Sequence, residues 1–216
     1  MLVGSDHIPM LLVKQSVSDV LAAFRAATPT PGGGSAAALA GAMGASLVAM
    51  VAGLPKPTAA TEEDVQRLRA AGDRSGGIAV ELERLVDVDS AAYDLVMAAY
   101  KRPKVTDEDK AARSAAIQAA MREAIAAPLA VMRACAGAAE QAVVVAALGN
   151  PSASSDLRVG LELLNAGLRG AALNVEINLG SVKDADYVGK VKADLTEFAR
   201  AIGHESAAAG RVLQNG

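Results

Sequence analysis

Two aspartates spaced two residues apart, in Val86-Asp87-Val88-Asp89-Ser90, are the first place in this chain where chemistry can be read. The apolar residues around them, Leu82, Leu85, Val86, Ala92, Tyr93 and Val96, recur at steps of three and four and mark one face of a helix. That spacing puts Asp89 on the apolar face and turns Asp87 and Asp94 elsewhere. A carboxylate facing a core costs roughly several kcal/mol unless it is paired, and it holds its proton to higher pH than a solvated one. A carboxyl group that titrates near neutrality is what general acid catalysis requires. The same position equally suits an aspartate satisfied by the N-terminus of another helix, and the residues alone leave both readings open.

Two further stretches break local rules. Thr28-Pro29-Thr30-Pro31-Gly32-Gly33-Gly34 cannot continue a helix and reads as a tight loop, after which Ser35 caps an apolar helix. A glycine-rich loop feeding a helix N-terminus offers free N–H groups to an anion. The Gly-Lys-Ser/Thr ending of a phosphate-binding loop is missing, however, and a tight turn where two backbones meet is the preferred reading. Further on, Gly160, Gly167, Gly170, Asn174 and Asn178 share one helical stripe, small residues giving way to two amides a turn apart. Buried amides need partners, which are either a ligand with donors and acceptors or a neighbouring helix.

The rest of the composition excludes several other classes of chemistry. With 216 residues the chain is long enough for one domain with a substantial core and short for two. The residues are 52% apolar but only 2% aromatic, so Ala, Gly, Val and Leu must supply closely approaching helices. A net charge of −3 with no Lys/Arg run makes nucleic acid an unsuitable partner. Cys135, the only cysteine, sits between Ala134 and Ala136 and reads as a buried spectator thiol. His7 and His204 lie near opposite ends, no His/Cys cluster has ligand spacing, and no metal is expected. The first residues lack the pattern of a secretion signal, which points to the cytoplasm. Ser35 to Leu54 is uncharged and long enough to span a bilayer, yet its glycines and alanines fit a helix buried on all sides in a soluble bundle, and no membrane partner is expected.

The elements that must position these residues are helices throughout. One starts near Ser16, with Asp19 as its capping partner, and ends before Thr28. Thr61-Glu62-Glu63-Asp64 opens another that runs to about Tyr100, with bending possible at Gly76-Gly77. Thr106-Asp107-Glu108-Asp109 opens a third that runs to Leu148, where Pro128 predicts a kink or break. Gly149-Asn150-Pro151 stops it, Ser154 or Ser155 starts the next through about Leu179, and Asp184 starts the last. No segment alternates with period two for long enough to be a strand. The expected architecture is an all-α, single-domain bundle of Ala/Gly-rich helices over residues 1–216.

These stretches, taken in order, resemble a known family: the cyclodeaminase domain of formiminotransferase-cyclodeaminase and its stand-alone bacterial relatives, including methenyltetrahydrofolate cyclohydrolases. The resemblance is carried by Thr28 to Ser35 with the apolar run to Val51, then by Asp87-Val88-Asp89-Ser90-Ala91-Ala92-Tyr93 leading to Tyr100 and Pro103-Lys104. It continues in Ala116-Ile117-Gln118 with Pro128-Leu129, and in Gly149-Asn150-Pro151-Ser152-Ala153-Ser154-Ser155-Asp156 with Asn174-Val175-Glu176-Ile177-Asn178-Leu179. One segment departs: Gly53-Leu54-Pro55-Lys56-Pro57-Thr58 stands where the family has Asn-Leu-Thr and a basic, aromatic cluster, so only Lys56 matches the basic element. Tyr93 and Tyr100 replace a frequent Phe.

The resemblance implies an all-helical homodimer with folate near the subunit interface, acting on a one-carbon unit that bridges two folate nitrogens. It implies a tetrahydrofolate derivative as substrate, no other cofactor, and a separate formiminotransferase as supplier if the activity is cyclodeamination. Carried onto this chain, Asp89 is the leading acid/base candidate, Asp87 its neighbour or a substrate contact, and Asp156 the second candidate acid. Asn174 and Asn178 would read the pterin edge, and Gly32, Gly33, Gly34 and Ser35 would lie near the one-carbon centre or a folate carboxylate. Pro31, Tyr93, Asn150 and Ser155 join them as substrate contacts. Lys104, with Lys101 and Arg102, would meet the glutamate tail or simply form a solvated charged turn.

Overall fold

Local capping chemistry decides where each helix begins. In the computed structural model, which describes residues 11–55 and 60–215, a short 3-10 turn at Leu12–Lys14 precedes α1 (Val17–Arg25), whose N-cap Ser16 accepts from the Asp19 amide. α2 (Gly33–Gly53) follows the glycine-rich loop, in which the Thr30–Pro31 peptide is cis. Thr61 caps α3 (Glu62–Tyr100), and Thr106 forms a reciprocal capping box with Asp109 at the start of α4 (Asp107–Leu148). A 3-10 turn at Pro151–Ala153 leads into α5 (Ser154–Leu179), and the Asp184 carboxylate accepts from the Tyr187 amide to open α6 (Ala185–Asn215). Every expected helix is present and, among the described residues, no strand.

Three details correct the sequence reading. Gly32, not Ser35, holds the N-cap position of α2, so Ser35 falls inside the first turn. Pro128 does not break α4, which is one helix of 42 residues. α2 is not buried on all sides, because Met43 and Met50 stand 46% and 43% exposed. His7 and the Lys56–Thr58 part of the departing segment lie outside the described residues.

Packing follows from side-chain size. α2 lies between α3 and α5 and over α4, while α6 runs along α4. Gly44 and Gly160 bring α2 and α5 into backbone contact: a methyl on Gly44 would meet the Gly160 carbonyl oxygen at 2.7 Å and the Leu164 amide at 2.9 Å. Cys135 fills the hollow left by Gly41 and Gly167, fully buried, and burial pushes its thiol up to about 12. That agrees with a spectator thiol, since the nucleophilic thiolate is out of reach. By length and composition α2 and α4 could each cross a bilayer, but half of the most apolar window of each is buried within the bundle.

The α3–α4 pair outruns the bundle. Its far part carries a separate apolar cluster of Ala92, Val96 and Ala99 against Ile117, Met121 and Ala124, whereas the main core on α3 ends near Val86. Asp89 and Ser90 sit in the gap between these two clusters. There the first turn of α2 abuts α3.

Candidate active site

Asp89 faces the N-terminus of α2. Its Oδ2 accepts from the Ser35 amide at 3.0 Å, and the Ser35 hydroxyl donates to the Val86 carbonyl at 2.7 Å, which ties the two helices together. Ser35 Oγ also lies 3.4 Å from Asp89 Oδ2 and 3.3 Å from Ser90 Oγ. A Cβ at Gly34 would collide with the carboxyl group, so this glycine is the cradle in which Asp89 rests. The anion at this helix N-terminus is therefore the chain's own carboxylate. Burial raises the Asp89 pKa above the ordinary aspartate value, and the Ser35 amide and hydroxyl hold it back in part. Asp89 Oδ1 accepts no hydrogen bond among the described residues. The reading in which a helix N-terminus holds Asp89 is realised, and burial leaves its pKa above the ordinary aspartate value.

Asp87 turns to another side of α3 than Asp89, as expected, but finds protein there. Asp87 Oδ1 accepts from the Leu12 amide at 2.7 Å, while its Oδ2 is buried without a partner among the described residues. Asn174 joins the Asp89 cluster, its amide 3.6 Å from where a Cβ on Gly33 would sit, and it donates back to the Gly170 carbonyl at 2.8 Å. Asn178 has a different task. It donates to the Ala124 carbonyl at 2.9 Å, the acceptor that residue 128 would have served had it not been proline. Asn178→Ala is expected to cost about 1–3 kcal/mol by orphaning that carbonyl. Pro128→Ala returns the missing N–H, so Asn178→Ala should cost less in that background, read in a urea-denaturation double-mutant cycle.

The chain as a whole is similar to known proteins. The sequence profile described as formiminotransferase-cyclodeaminase matches residues 16–197. The chain belongs to that family. It is 41% identical over 176 residues to the methenyltetrahydrofolate cyclohydrolase of Methylorubrum extorquens, covering 80% of this chain and 83% of that protein. It is 35% identical over 168 residues to the formimidoyltransferase-cyclodeaminase of Sus scrofa, covering 78% of this chain but only 31% of that longer protein. The crystal structure of formiminotetrahydrofolate cyclodeaminase from Thermotoga maritima superposes with a TM-score of 0.83 over 94% of this chain and 97% of that one, at 24% identity, which establishes the fold.

Within this family member the motif residues fall into two groups. Gly33, Gly34, Ser35, Asp89 and Asn174 come together, Pro31 and Gly32 lead into the cluster, and exposed Tyr93 lies one turn beyond Asp89 on α3. Asn150, Ser155 and Asp156 lie elsewhere. Asn150 accepts from the Ser152 amide and donates to the Pro55 carbonyl at 2.7 Å, which fixes it to the far end of α2. The 20 residue steps from Gly33 to Gly53 place that end roughly 30 Å from the Asp89 cluster. Ser155 and Asp156 are exposed in the first turn of α5, where Asp156 suits the helix dipole.

Sequence reasoning missed Ser90, which adjoins Asp89 in the same motif and gave no separate signal. It also grouped Lys104 with Lys101 and Arg102. The fold instead gathers Lys104 with Lys110, Arg113 and Lys183 around Tyr100 in an electropositive cleft of about 510 Å³. Lys183 Nζ donates to Ser114 Oγ, and the Arg113 guanidinium lies over the Tyr100 ring. Tyr100 is 11 residues beyond Asp89 on α3, a distance of roughly 16 Å. Among the described residues no group of three His, Cys, Asp or Glu side chains could hold a metal ion.

Proposed function

We propose that this chain is a folate one-carbon enzyme that hydrolyses 5,10-methenyltetrahydrofolate, with Asp89 as its proton-transfer group. The observation that carries this reading is the two-way coverage of the Methylorubrum extorquens cyclohydrolase at 41% identity, with Asp89 buried at the helix junction that the family motifs build. In the hydrolytic direction water adds to the methenyl carbon and gives up a proton. One carbon–nitrogen bond then breaks, the leaving nitrogen takes up a proton, and the carbon remains as a formyl group. A carboxylate can take the first proton and, as a carboxylic acid, return it to nitrogen, which is why a raised pKa helps. Holding both folate nitrogens and the carbon in place supplies the remaining acceleration.

Asn174, beside the exposed Gly33, would meet the pterin donors and acceptors. The glutamate tail would extend toward Lys104 and the electropositive cleft. A second reading is cyclodeamination of 5-formiminotetrahydrofolate by the same site, favoured by the family profile and by the fold shared with the Thermotoga maritima cyclodeaminase. A separate formiminotransferase would then supply the substrate. Absorbance of 5,10-methenyltetrahydrofolate separates the two. Catalysed loss in water supports hydrolysis, and faster appearance from the formimino compound with ammonia release supports cyclodeamination. No catalysis in either direction by folded protein overturns both.

A further inference from the structure

The two aspartates of the α3 motif hold the two ends of one stretch of chain. Asp87 accepts from the Leu12 amide where that stretch begins, and Asp89 accepts from the Ser35 amide where it ends. Residues two apart on a helix point about 200° away from each other, so the stretch starts on one side of α3 and finishes on another. Between the two attachments lie α1 and the loop that carries Gly32. Of the α1 side chains only Val20 is buried, while Val17 and Leu21 stand 76% and 50% exposed. The hold of α1 on the bundle therefore depends on the ends of the stretch.

The two ends are not held alike. Ser35 is fixed twice, by its amide to Asp89 and by its hydroxyl to the Val86 carbonyl. At the other end the Leu12 side chain enters the core, and the Lys14–Glu83 ion pair at 3.8 Å is exposed and adds little. The Leu12 amide to Asp87 is the polar tie that fixes direction there. It is made at a cost, because Asp87 Oδ2 is buried with no partner among the described residues. A local conflict of this kind is what function retains. With Oδ1 engaged by Leu12 and Oδ2 out of reach of solvent, the carboxylate is not presented to a substrate.

We propose that Asp87 is a positioning residue: by gripping the Leu12 amide it holds the α1 stretch in place across α3, and this keeps Ser35 seated on Asp89. The effect is mechanical. α1 is a rigid helix, and Pro29 and Pro31 stiffen the loop that follows, so a displacement at Leu12 is passed to the first turn of α2 rather than absorbed on the way. Its chemical consequence is specific. Among the described residues no charged side chain contributes to the raised pKa of Asp89, which reflects burial opposed by the Ser35 amide and hydroxyl. Loosening Ser35 therefore raises the Asp89 pKa further. Removing the Asp87 charge alone would do the reverse, because a nearby negative charge disfavours the carboxylate.

Only the effect on turnover rests on the folate reading, so the test begins with hydrogen exchange. In Asp87→Ala the Ser35 amide should exchange about tenfold faster or more, the scale of losing one hydrogen bond to a charged acceptor. Trypsin should also cut sooner after the exposed Arg25. Asp87→Asn keeps an acceptor for Leu12 and should restore the wild-type exchange rate and most of the lost turnover. Leu12→Pro removes the donor while leaving the Asp87 charge intact, and proline suits the first position of the Leu12–Lys14 turn. It should behave as Asp87→Ala does, and its acid limb of kcat/KM should move to higher pH. Three results overturn the proposal. Unchanged Ser35 exchange in both Asp87→Ala and Leu12→Pro separates the two ends. A raised KM in Asp87→Asn and Asp87→Ala alike makes Asp87 a substrate contact. An acid limb moved to lower pH in both Asp87 variants makes it an electrostatic neighbour. Wild-type protein inactive on both folates, with Ser35 exchange responding as expected, would remove the substrate assignment and leave the coupling of Asp87 to Ser35 standing.

Discussion

Asp89→Asn is expected to lower kcat/KM for methenyl-folate hydrolysis by about 10²–10⁴-fold, the range typical for loss of a general acid–base group. The fold should survive, because the asparagine carbonyl can still accept from the Ser35 amide and the Ser35–Val86 hydrogen bond is untouched. A drop in kcat with a thermal midpoint that is not lowered therefore assigns chemistry to Asp89. Activity within a few-fold of wild type would reduce it to a helix anchor.

The pH dependence gives an independent reading of the same group. Burial raises the Asp89 pKa, so the folded chain binds this proton more tightly than the unfolded chain does. The stability due to Asp89 is then fully present below the unfolded aspartate value, and it is lost as pH rises through the folded value. Asp89→Asn removes that slope, so its stability relative to wild type should improve from acid toward neutral pH in urea titrations. Activity has the opposite sign. The carboxylate is the base that accepts the proton from water, so kcat/KM should fall as pH drops below the raised pKa. That acid limb should be absent from the residual activity of the variant.

Helix boundaries were legible because they depend on neighbours in sequence. Ser16 with Asp19, Thr61 with Asp64 and Thr106 with Asp109 are capping pairs three residues apart, and each starts the helix expected of it. The inward turn of Asp89 was legible for the same reason, as a departure from a helical period. What could not be read was anything that depends on which helices meet. Asp89 and Gly34 are 55 positions apart, and nothing in either neighbourhood says that one fills the space the other leaves. Asn178 shows the point more sharply. Its partner is a carbonyl freed by a proline 50 positions earlier, so an amide that reads as a ligand contact is a repair to α4. The preferred reading of the glycine-rich loop, a tight turn at a close approach, agrees with the structure, but nothing nearby in sequence shows that the approaching group is the Asp89 carboxylate.

Gly34→Ala should be nearly as damaging to activity as removal of the carboxyl group itself. The added methyl would occupy the space of the Asp89 carboxyl, and neither backbone can withdraw, because Ser35 is bonded to both the Asp89 carboxylate and the Val86 carbonyl. The side chain must therefore swing off the Ser35 amide, leaving a buried donor unpaired and the acid misplaced. Overpacking of this kind costs about 1–3 kcal/mol, and loss of the hydrogen bond adds to it. We expect a lowered urea midpoint and a fall in kcat of at least about 10²-fold, within the range for a displaced acid–base group. The diagnostic feature is non-additivity. In an Asp89→Asn background the acid is already gone, so Gly34→Ala should cost little further activity while still costing stability. Gly76→Ala in α3 is the control: a methyl there meets nothing within 4 Å, and alanine favours the helix by up to about 1 kcal/mol. If Gly34→Ala behaves like Gly76→Ala, α2 does not approach Asp89 closely in solution, and the helix junction is not what positions the acid.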